Sequence, residues 1–404
     1  MKSFQAYPQY NVIPKSLTVA KRLAQCLNPA LPAGVHGKTL DVYAYILETI
    51  GPDQLADDIT LYSYGLFPFL QHASLSVKPQ LLDIYEKYYL PLKDRLKPCL
   101  KSFMIGLLPG LDEEGSEFFD RVLGIMDNLR KAVDETFFFQ CMWLILITSS
   151  QHRGPALHYL GRRMPHLTNT EDVAFVLGDD AGLMVRAFSA TVGDSQLLVQ
   201  RAMLDLMVVH FPVSNGLIEQ NDLIVLVKAA VGVVLRKDMS LNRRLYAWLL
   251  GPQEGKKKVF DGPAKTALIT GLKSILLSEG EELQESQKPY RVFVSLLDEW
   301  DIGYPVIQAV FLDALLSLKR HVDAGHHGAE LLQTATMWID MTDPYLIWKK
   351  MSEAINENFP AENGQEPYAL NLVIFFLNSF KLNDEEMQHM HMPMFLLFLL
   401  TKIQ

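Results

Sequence analysis

The sequence has few cysteines, and their number and spacing exclude two kinds of stabilising site. Three occur, Cys26, Cys99 and Cys141, with no CxxC or Cys/His spacing around them. An odd number cannot form a complete disulfide framework, and the spacing does not suit structural zinc. Cys141 lies within the apolar run FFFQCMWLILI, so we expect it to behave as a small buried hydrophobe. The pattern fits a reducing compartment such as the cytosol.

The sequence also lacks an excess of positive charge. It has 37 Lys and Arg against 46 Asp and Glu, a formal net charge of -9. A nucleic-acid-binding protein normally shows a basic balance, so no nucleic acid is expected as a partner. Hydrophobic residues are 49% and charged residues 21% of the 404 positions, which excludes wholesale disorder. This length exceeds one compact core, so we expect several domains or one extended repeat architecture.

Long hydrophobic runs are absent as well. The N-terminal MKSFQAYPQYNVIPK has no apolar core of a signal peptide. The longest apolar runs, at 142–147 and 394–400, are much shorter than the ~20 residues that span a bilayer. We therefore expect no transmembrane segment, and any membrane association is expected to be peripheral.

Motifs of known catalytic and cofactor sites are missing. The chain has no GxGxxG after a strand, no GxxxxGK[ST] phosphate loop and no GxSxG nucleophile elbow. The histidines are scattered, and His389 and His391 would point about 200° apart on a helix, which does not suit a shared metal. The sequence therefore predicts no enzyme, no cofactor and no metal site, and no residue is a catalytic candidate.

The dominant positive signal is helical periodicity. Amphipathic segments bounded by Gly and Pro start about every 20 residues, and no stretch shows sustained strand alternation with hairpin turns. A helix pair therefore repeats about every 40 residues, the spacing of HEAT and armadillo units. We predict an all-α fold, a HEAT/armadillo-like α-solenoid of antiparallel helix pairs with two long surfaces for binding. The alternative is an irregular helical globule.

Irregular segments suggest the domain organisation. Residues 1–14 are rich in Tyr, Gln and Pro and predict an irregular N-terminal arm, and residues 15–404 are predicted to form a single solenoid domain. The segment 251–263, GPQEGKKKVFDGP, is the clearest loop, and a subdivision of the solenoid there is the alternative. A second loop, NFPAENGQEP, spans 358–367.

The stretch LRKDMSLNRRLYAWLLG at 235–251 contains a helix start, a helix and a helix stop. Asp238 and Ser240 can cap the N-terminus, and the Gly-Pro pair at 251–252 ends the helix. Apolar positions recur at i, i+4, i+7 and i+8, which predicts one buried face. These positions are Leu241, Leu245, Trp248 and Leu249.

The remaining polar and basic positions of this stretch are the candidates for partner binding. One interpretation is a solvated face whose arginine stems lie along apolar surface. A second is a polar and basic strip that binds a protein partner. A third is that they lock one helix pair to another through charge-assisted hydrogen bonds. The candidate residues are Arg236, Lys237, Asn242, Arg243, Arg244 and Tyr246.

A second basic cluster surrounds a proline-bounded kink in LPLKDRLKPCLK. Its positive charges lie close together and form a candidate patch for anionic lipid or an acidic partner. The lysine run at 256–258 in the long loop is a further candidate for lipid binding. The residues of the basic patch are Lys93, Arg95, Lys97 and Lys101.

Four motifs together resemble a known family. They are KRLAQCLNPALPAGVHGKTLDVY, SVKPQLLDIYEKYYLPL, LKPCLKSFMIGLLPGLDEEGSEFFDR and LRKDMSLNRRLYAWLLG. In this order they resemble the N-terminal domain of the Dopey proteins, very large leucine-rich proteins of eukaryotes, with strong matches from about Val12 to Gly251. Most of the helical segment that usually precedes NVIPKSLTVAKRL is missing, as is the C-terminal leucine-zipper-like part. We therefore expect a shortened chain or a truncated gene model.

The resemblance implies a non-enzymatic scaffold in membrane traffic between late Golgi and endosomes. The partners it implies are a large Golgi scaffold related to the Sec7-type exchange factors and an aminophospholipid flippase, with kinesin and phosphoinositide membrane as further contacts. It implies a cytosolic protein, peripheral on Golgi, trans-Golgi network and endosome membranes, with no catalytic residues. The alternative function is a peripheral domain that binds phosphoinositide or other anionic lipid directly.

Overall fold

Helices make up the regular structure of this protein. The computed structural model describes residues 13–178, 180–251, 260–277, 282–325, 327–358, 368–381 and 384–403. No residue within these ranges belongs to a β-strand. The prediction of an all-α solenoid is confirmed. The arm at 1–14 lies almost entirely outside the described residues, as do 252–259 and 359–367 of the two predicted loops, so the lysine run at 256–258 is not placed.

The chain divides into two compact units, Met1–Leu206 and Met207–Gln404. The first unit contains α1 Ser16–Cys26, α2 Ala33–Asp57, α3 Ile59–Leu66, α4 Lys78–Ile84, α5 Leu100–Leu107, α6 Phe119–Ala132, α7 Glu135–Thr148, α8 Arg153–Arg163, α9 Thr170–Leu177 and α10 Ala181–Val192. The unit boundary falls within α11, Leu197–His210. The number of domains stays a prediction.

The second unit continues the series of helices. It contains α12 Gln220–Ala230, α13 Met239–Leu250, α14 Lys265–Leu277, α15 Leu283–Leu297, α16 Trp300–Asp323, α17 Gly328–Met341, α18 Pro344–Asn358, α19 Tyr368–Ser379 and α20 Met392–Ile403. Alternate helices pack on each other, α12 on α14, α14 on α16 and α16 on α18, while α15 packs on α17. Each repeat therefore contacts its neighbours along a row, as in a solenoid.

Short 3-10 and π turns interrupt or extend the α-helices, mostly beside proline. At Pro68 the helix changes type, since α3 ends at Leu66 and a 3-10 turn follows. Gly51, with φ 71, breaks the helical geometry inside α2 just before Pro52. The 3-10 segments are Phe67–Gln71, Leu90–Cys99, Leu108–Leu111, Ser150–His152, Val213–Asn215 and Val231–Arg236, and the π segments are Tyr85–Tyr89, Phe260–Ala264 and Met387–His391.

Aromatic rings form the centre of the first unit. Phe67 stacks on Phe103 with ring centroids 4.4 Å apart, and Tyr85 and Tyr89 meet this pair edge-on or tilted. All four rings are buried. Gly106 is required beside them, because a Cβ there would lie 2.3 Å from the carbonyl oxygen of Phe67. The helices of this unit thus pack closely around an aromatic core.

The sequence separation of long-range polar contacts supports the predicted repeat length. Arg95 bonds Asp53 at a separation of 42 residues, and Ser317 bonds the Leu276 carbonyl at 41. The contacts Lys87 to Glu48, Arg153 to Asp194 and Trp348 to Met387 are separated by 39, 41 and 39 residues. Because neighbouring repeats place equivalent helices side by side, such contacts recur at about one repeat length, here about 40 residues.

Among the residues that the structure describes, two helices are long and apolar enough to cross a membrane. They are Leu197–Asn215 and Trp300–Asp323, and the apolar windows are 50% and 56% buried within the protein. Such burial is usual for a core helix of a helical-repeat protein, and α16 packs against α14, α15, α17 and α18. Neither helix carries a positive sign of membrane insertion.

Candidate interaction surfaces

Helix α13 is fixed by a cap and by a buried face. The Asp238 carboxylate accepts a hydrogen bond from the Leu241 N–H at 2.9 Å, which is the predicted N-cap. The predicted apolar face is confirmed: Leu241, Leu245, Trp248 and Leu249 are buried. Trp248 also donates its indole N–H to the Phe211 carbonyl at 2.9 Å. The cap and the core together determine which side of α13 remains for other contacts.

Two candidate residues of this stretch make internal contacts. The Tyr246 hydroxyl donates to the Ser295 carbonyl of α15 at 2.9 Å, and burial raises the pKa of Tyr246 to about 12. The Arg244 guanidinium donates to the carbonyl and hydroxyl oxygens of Ser240 within the same helix. Both contacts fit the structural interpretation. Arg244 bonds within α13, and Tyr246 bonds α13 to the neighbouring helix α15.

The other candidates differ in their exposure. Arg243 is exposed, and so are Arg236 and Lys237 at the turn before α13, where Lys237 adopts a left-handed conformation with φ 54. Asn242 is half-buried, and its side-chain oxygen is buried without a hydrogen-bond partner among the described residues. The exposed candidates of the stretch are therefore three basic residues, Arg236, Lys237 and Arg243.

The basic patch contains more compensating charge than its sequence suggests. The Arg95 guanidinium bonds Asp53 at 2.7 Å and lies 3.4 Å from Asp57. Lys97 lies 3.3 Å from Asp94 and 5.8 Å from the ring centroid of Phe137. Carboxylates of α2 thus offset part of the positive charge. The local periodicity of the sequence could not reveal them, because Asp53 and Asp57 are distant along the chain.

Lys93 and Lys101 complete the basic patch. Lys93 is exposed, and its backbone has φ 52 and ψ -128, a combination that residues with a Cβ rarely adopt. Lys101 is half-buried near Cys141. Lys93 is the member of the patch most open to a ligand.

Further ion pairs, which the sequence did not reveal, join neighbouring helices of the first unit. Arg121 of α6 contacts the carboxylates of Asp83 and Glu86 at 2.5 and 2.7 Å. Arg153 pairs with Asp194 at 2.5 Å in a site where both side chains are largely buried. Removing one partner of a buried pair is strongly destabilising. These cations therefore serve the packing of repeats.

Exposed apolar side chains are concentrated on the last two helices. α19 exposes one face with the spacing i, i+4, i+7, and α20 exposes several leucine and methionine side chains. Both helices pack on Trp348 of α18 through aromatic residues. The exposed positions are Leu370, Ile374, Leu377, Met394, Leu396, Leu397 and Leu400.

In the first unit, burial is the main cause of most of the pKa shifts. Burial raises the pKa of the Cys99 thiol to about 12 and that of Cys141 to about 11. The described residues contain no group of three or more His, Cys, Asp or Glu side chains placed to hold a metal ion. Because burial raises their pKa values, both thiols are weak nucleophiles at neutral pH, although Lys101 near Cys141 acts in the opposite direction.

Comparison with known proteins identifies the family. The family model described as Dopey, N-terminal, matches residues 1–254, and the DOP1 middle TPR domain matches residues 260–404. Protein dop1 of Emericella nidulans is 34% identical over 100% of this chain, which spans 26% of that relative. Protein DOP1B of Xenopus laevis is 33% identical, with 98% of this chain and 20% of the relative covered.

More distant similarities complete the comparison. Protein DOP1 of Saccharomyces cerevisiae is 29% identical over 96% of this chain and 26% of its own length. An engineered protein of known structure shows a TM-score of 0.27 at 14% identity, covering 84% of this chain and 99% of its own. The chain thus spans 26% or less of these curated relatives. The chain belongs to the Dopey family, because the two family models together match residues 1–254 and 260–404.

Proposed function

We propose that this chain is a non-enzymatic scaffold for protein–protein interaction in membrane traffic between late Golgi and endosomes. The partners proposed are a large Sec7-related Golgi scaffold and an aminophospholipid flippase, with kinesin and phosphoinositide membrane as further contacts. The protein would act from the cytosol, peripherally on Golgi, trans-Golgi network and endosome membranes. The traffic role and the partners rest on the family resemblance.

The observation that carries the scaffold proposal is the row of helical repeats in a Dopey-family chain. A solenoid presents long continuous surfaces without a single deep pocket, which suits extended protein contacts. Arg243 lies exposed on α13, and Lys237 lies exposed at the turn before this helix. Because α13 is capped and buried on its other face, Arg243 is presented from a rigid element, which lowers the ordering cost of binding.

Direct binding of anionic lipid is the second candidate function, and the exposed Lys93 favours it. Weak, salt-sensitive binding to phosphoinositide vesicles is expected, with little or none to neutral vesicles, because the chain has a net charge of -9 and the patch is partly neutralised. Lys93→Ala with Lys101→Ala should remove this binding. Arg95→Ala is the matched control and should reduce it less, since Arg95 is already paired with Asp53.

Localisation in cells tests the traffic proposal. The fluorescently tagged chain is expected to overlap with late-Golgi and endosome markers. Arg243→Glu combined with Lys237→Glu should reduce this overlap if the α13 surface binds a partner there, whereas Lys131→Glu on the exposed side of α6 should not. A diffuse distribution of the well-folded wild-type chain, with no enrichment on these membranes, would contradict the proposed place of action.

A further inference from the structure

Trp300 differs from every other tryptophan in the chain. The other four are buried to 4% exposure or less, whereas the Trp300 side chain is 58% exposed. Its indole stacks on the ring of Tyr304, one helical turn later, with centroids 4.7 Å apart and ring planes 25° apart. Tryptophan side chains are highly buried on average, so one this exposed is unusual. Tryptophan is also enriched among the residues that contribute most of the binding energy at protein interfaces.

The junction between α15 and α16 holds this aromatic pair in a fixed position. A Cβ at Gly303 would lie 2.4 Å from the Leu296 carbonyl oxygen and 2.7 Å from the Leu297 Cα, so only glycine permits this close crossing. Ile302, between the two rings in sequence, is fully buried. Trp300 and Tyr304 are thus presented on a rigid support, and little conformational entropy would be lost on binding.

Three carboxylates lie next to Trp300 along the chain. Asp298 and Asp301 are exposed and Glu299 is half-exposed, and none of the three has an ion-pair partner within the described residues. Negative charge at the start of α16 suits the dipole of that helix. Asp298, however, follows the C-terminal end of α15, where the dipole favours a cation. Helix stabilisation therefore does not account for all three carboxylates.

We propose that Trp300, Tyr304 and the carboxylates of Asp298, Glu299 and Asp301 form a docking surface for a basic segment of a partner protein. We call it the Trp300 platform. A guanidinium or ammonium group would lie over the free part of the indole in a cation–π contact, and neighbouring cations of the same segment would pair with the carboxylates. The proposal rests on the scaffold function proposed above and names the chemistry of one partner.

The charge of the platform favours a basic protein segment over a membrane. Aromatic residues near a helix end also occur at membrane interfaces. Anionic bilayers, however, would be repelled by three unpaired carboxylates, and α16 is packed among the helices of the second unit. The net charge of -9 further favours a cationic partner through long-range attraction.

A titration with a fluorescein-labelled hexa-arginine peptide tests the platform. The fluorescence anisotropy of the peptide is measured against the purified chain at about 0.15 M salt, where long-range attraction is screened. Trp300→Ala is expected to weaken binding roughly three- to thirty-fold, the range of a desolvated cation–π contact, while Trp300→Phe weakens it less. Asp298→Asn with Asp301→Asn should weaken binding about two- to twenty-fold.

Matched variants separate the platform from general attraction of a polycation. Asp340→Asn with Glu357→Gln removes two exposed carboxylates elsewhere in the second unit and should leave the affinity unchanged. Equal weakening by this control pair, or an unchanged affinity in Trp300→Ala, would overturn the proposal. Should Trp300→Ala fail to fold by circular dichroism, the Asp298 and Asp301 pair decides the matter alone.

Vesicle flotation provides the second arm of the test. The chain is expected not to float with neutral phosphatidylcholine vesicles, and Trp300→Ala should behave in the same way. Flotation of the wild type that is lost in Trp300→Ala would assign the aromatic pair to a lipid surface and overturn the basic-segment proposal. Neither arm uses a Golgi protein, so failure here is distinguishable from failure of the proposed traffic role.

Discussion

Tyr85 and Tyr89 offer a matched pair of substitutions in the core of the first unit. Both side chains are fully buried and both contact the Phe67 and Phe103 rings. The Tyr85 hydroxyl donates to the Leu66 carbonyl at 2.6 Å, whereas the Tyr89 hydroxyl has no hydrogen-bond partner within the described residues. Replacing tyrosine with phenylalanine therefore removes a satisfied group at one position and an unsatisfied group at the other.

The two substitutions should change stability in opposite directions. Tyr85→Phe loses a hydrogen bond with a net value of about 1 kcal/mol and leaves the carbonyl less well satisfied, so about 1–2 kcal/mol of destabilisation is expected. Tyr89→Phe removes a buried hydroxyl that costs about 1–3 kcal/mol to desolvate, so no loss or a gain of about 1 kcal/mol is expected. For a unit of this size, 1 kcal/mol corresponds to about 2–4 °C in Tm.

Differential scanning calorimetry of each variant measures the difference, with Tyr64→Phe as a control because Tyr64 is 79% exposed. Destabilisation of Tyr89→Phe equal to that of Tyr85→Phe would refute the reasoning.

Burial also raises the pKa of Tyr85 and Tyr89 well above the ordinary value. Their contribution to stability is complete below about pH 10, where unfolded tyrosine is neutral, and is lost as the pH rises further.

Three other predictions concern α13 and the cysteines. Trp248→Ala should destabilise the second unit by roughly 3–5 kcal/mol in urea denaturation, and a loss below about 1 kcal/mol would show that the site is not core. Arg243→Glu should change the free energy of unfolding by no more than about 0.5 kcal/mol, because Arg243 is exposed. Failure of this variant to fold would make Arg243 a structural residue. At pH 8 a disulfide reagent should modify Cys26 but neither Cys99 nor Cys141, whose pKa values burial raises to about 12 and about 11. Rapid reaction of all three thiols in the folded protein would contradict their burial.

Local features of the fold were predictable from sequence. The cap at Asp238 and the buried face containing Trp248 depend on residues within a few positions, and both are confirmed. The repeat of about 40 residues followed from the spacing of helix starts. Such features are encoded by periodicity and by turn chemistry, which one sequence displays directly.

Features that depend on which helices pack together were not predictable in this way. The acidic partners of Arg95 lie in α2, and nothing in the local sequence indicates that this helix is adjacent. Proline commonly begins a helix, yet Pro305 lies inside α16, which already begins at Trp300 shortly after α15 ends at Leu297. Tight packing of Gly303 on Leu296 fixes that junction, and this contact between two helices overrides the helix-starting preference of proline.

Whether the chain binds the proposed partner is measured by calorimetric titration of the purified chain with the purified Sec7-related Golgi scaffold. We expect saturable binding with a Kd of about 1 µM or tighter, near -8 kcal/mol, and weaker binding by Arg243→Glu if the α13 surface takes part. The Lys131→Glu control should bind as the wild type does. Absence of saturable binding at about 100 µM, with a chain that is folded by circular dichroism, would contradict the proposal that this helical-repeat chain is a scaffold for that partner.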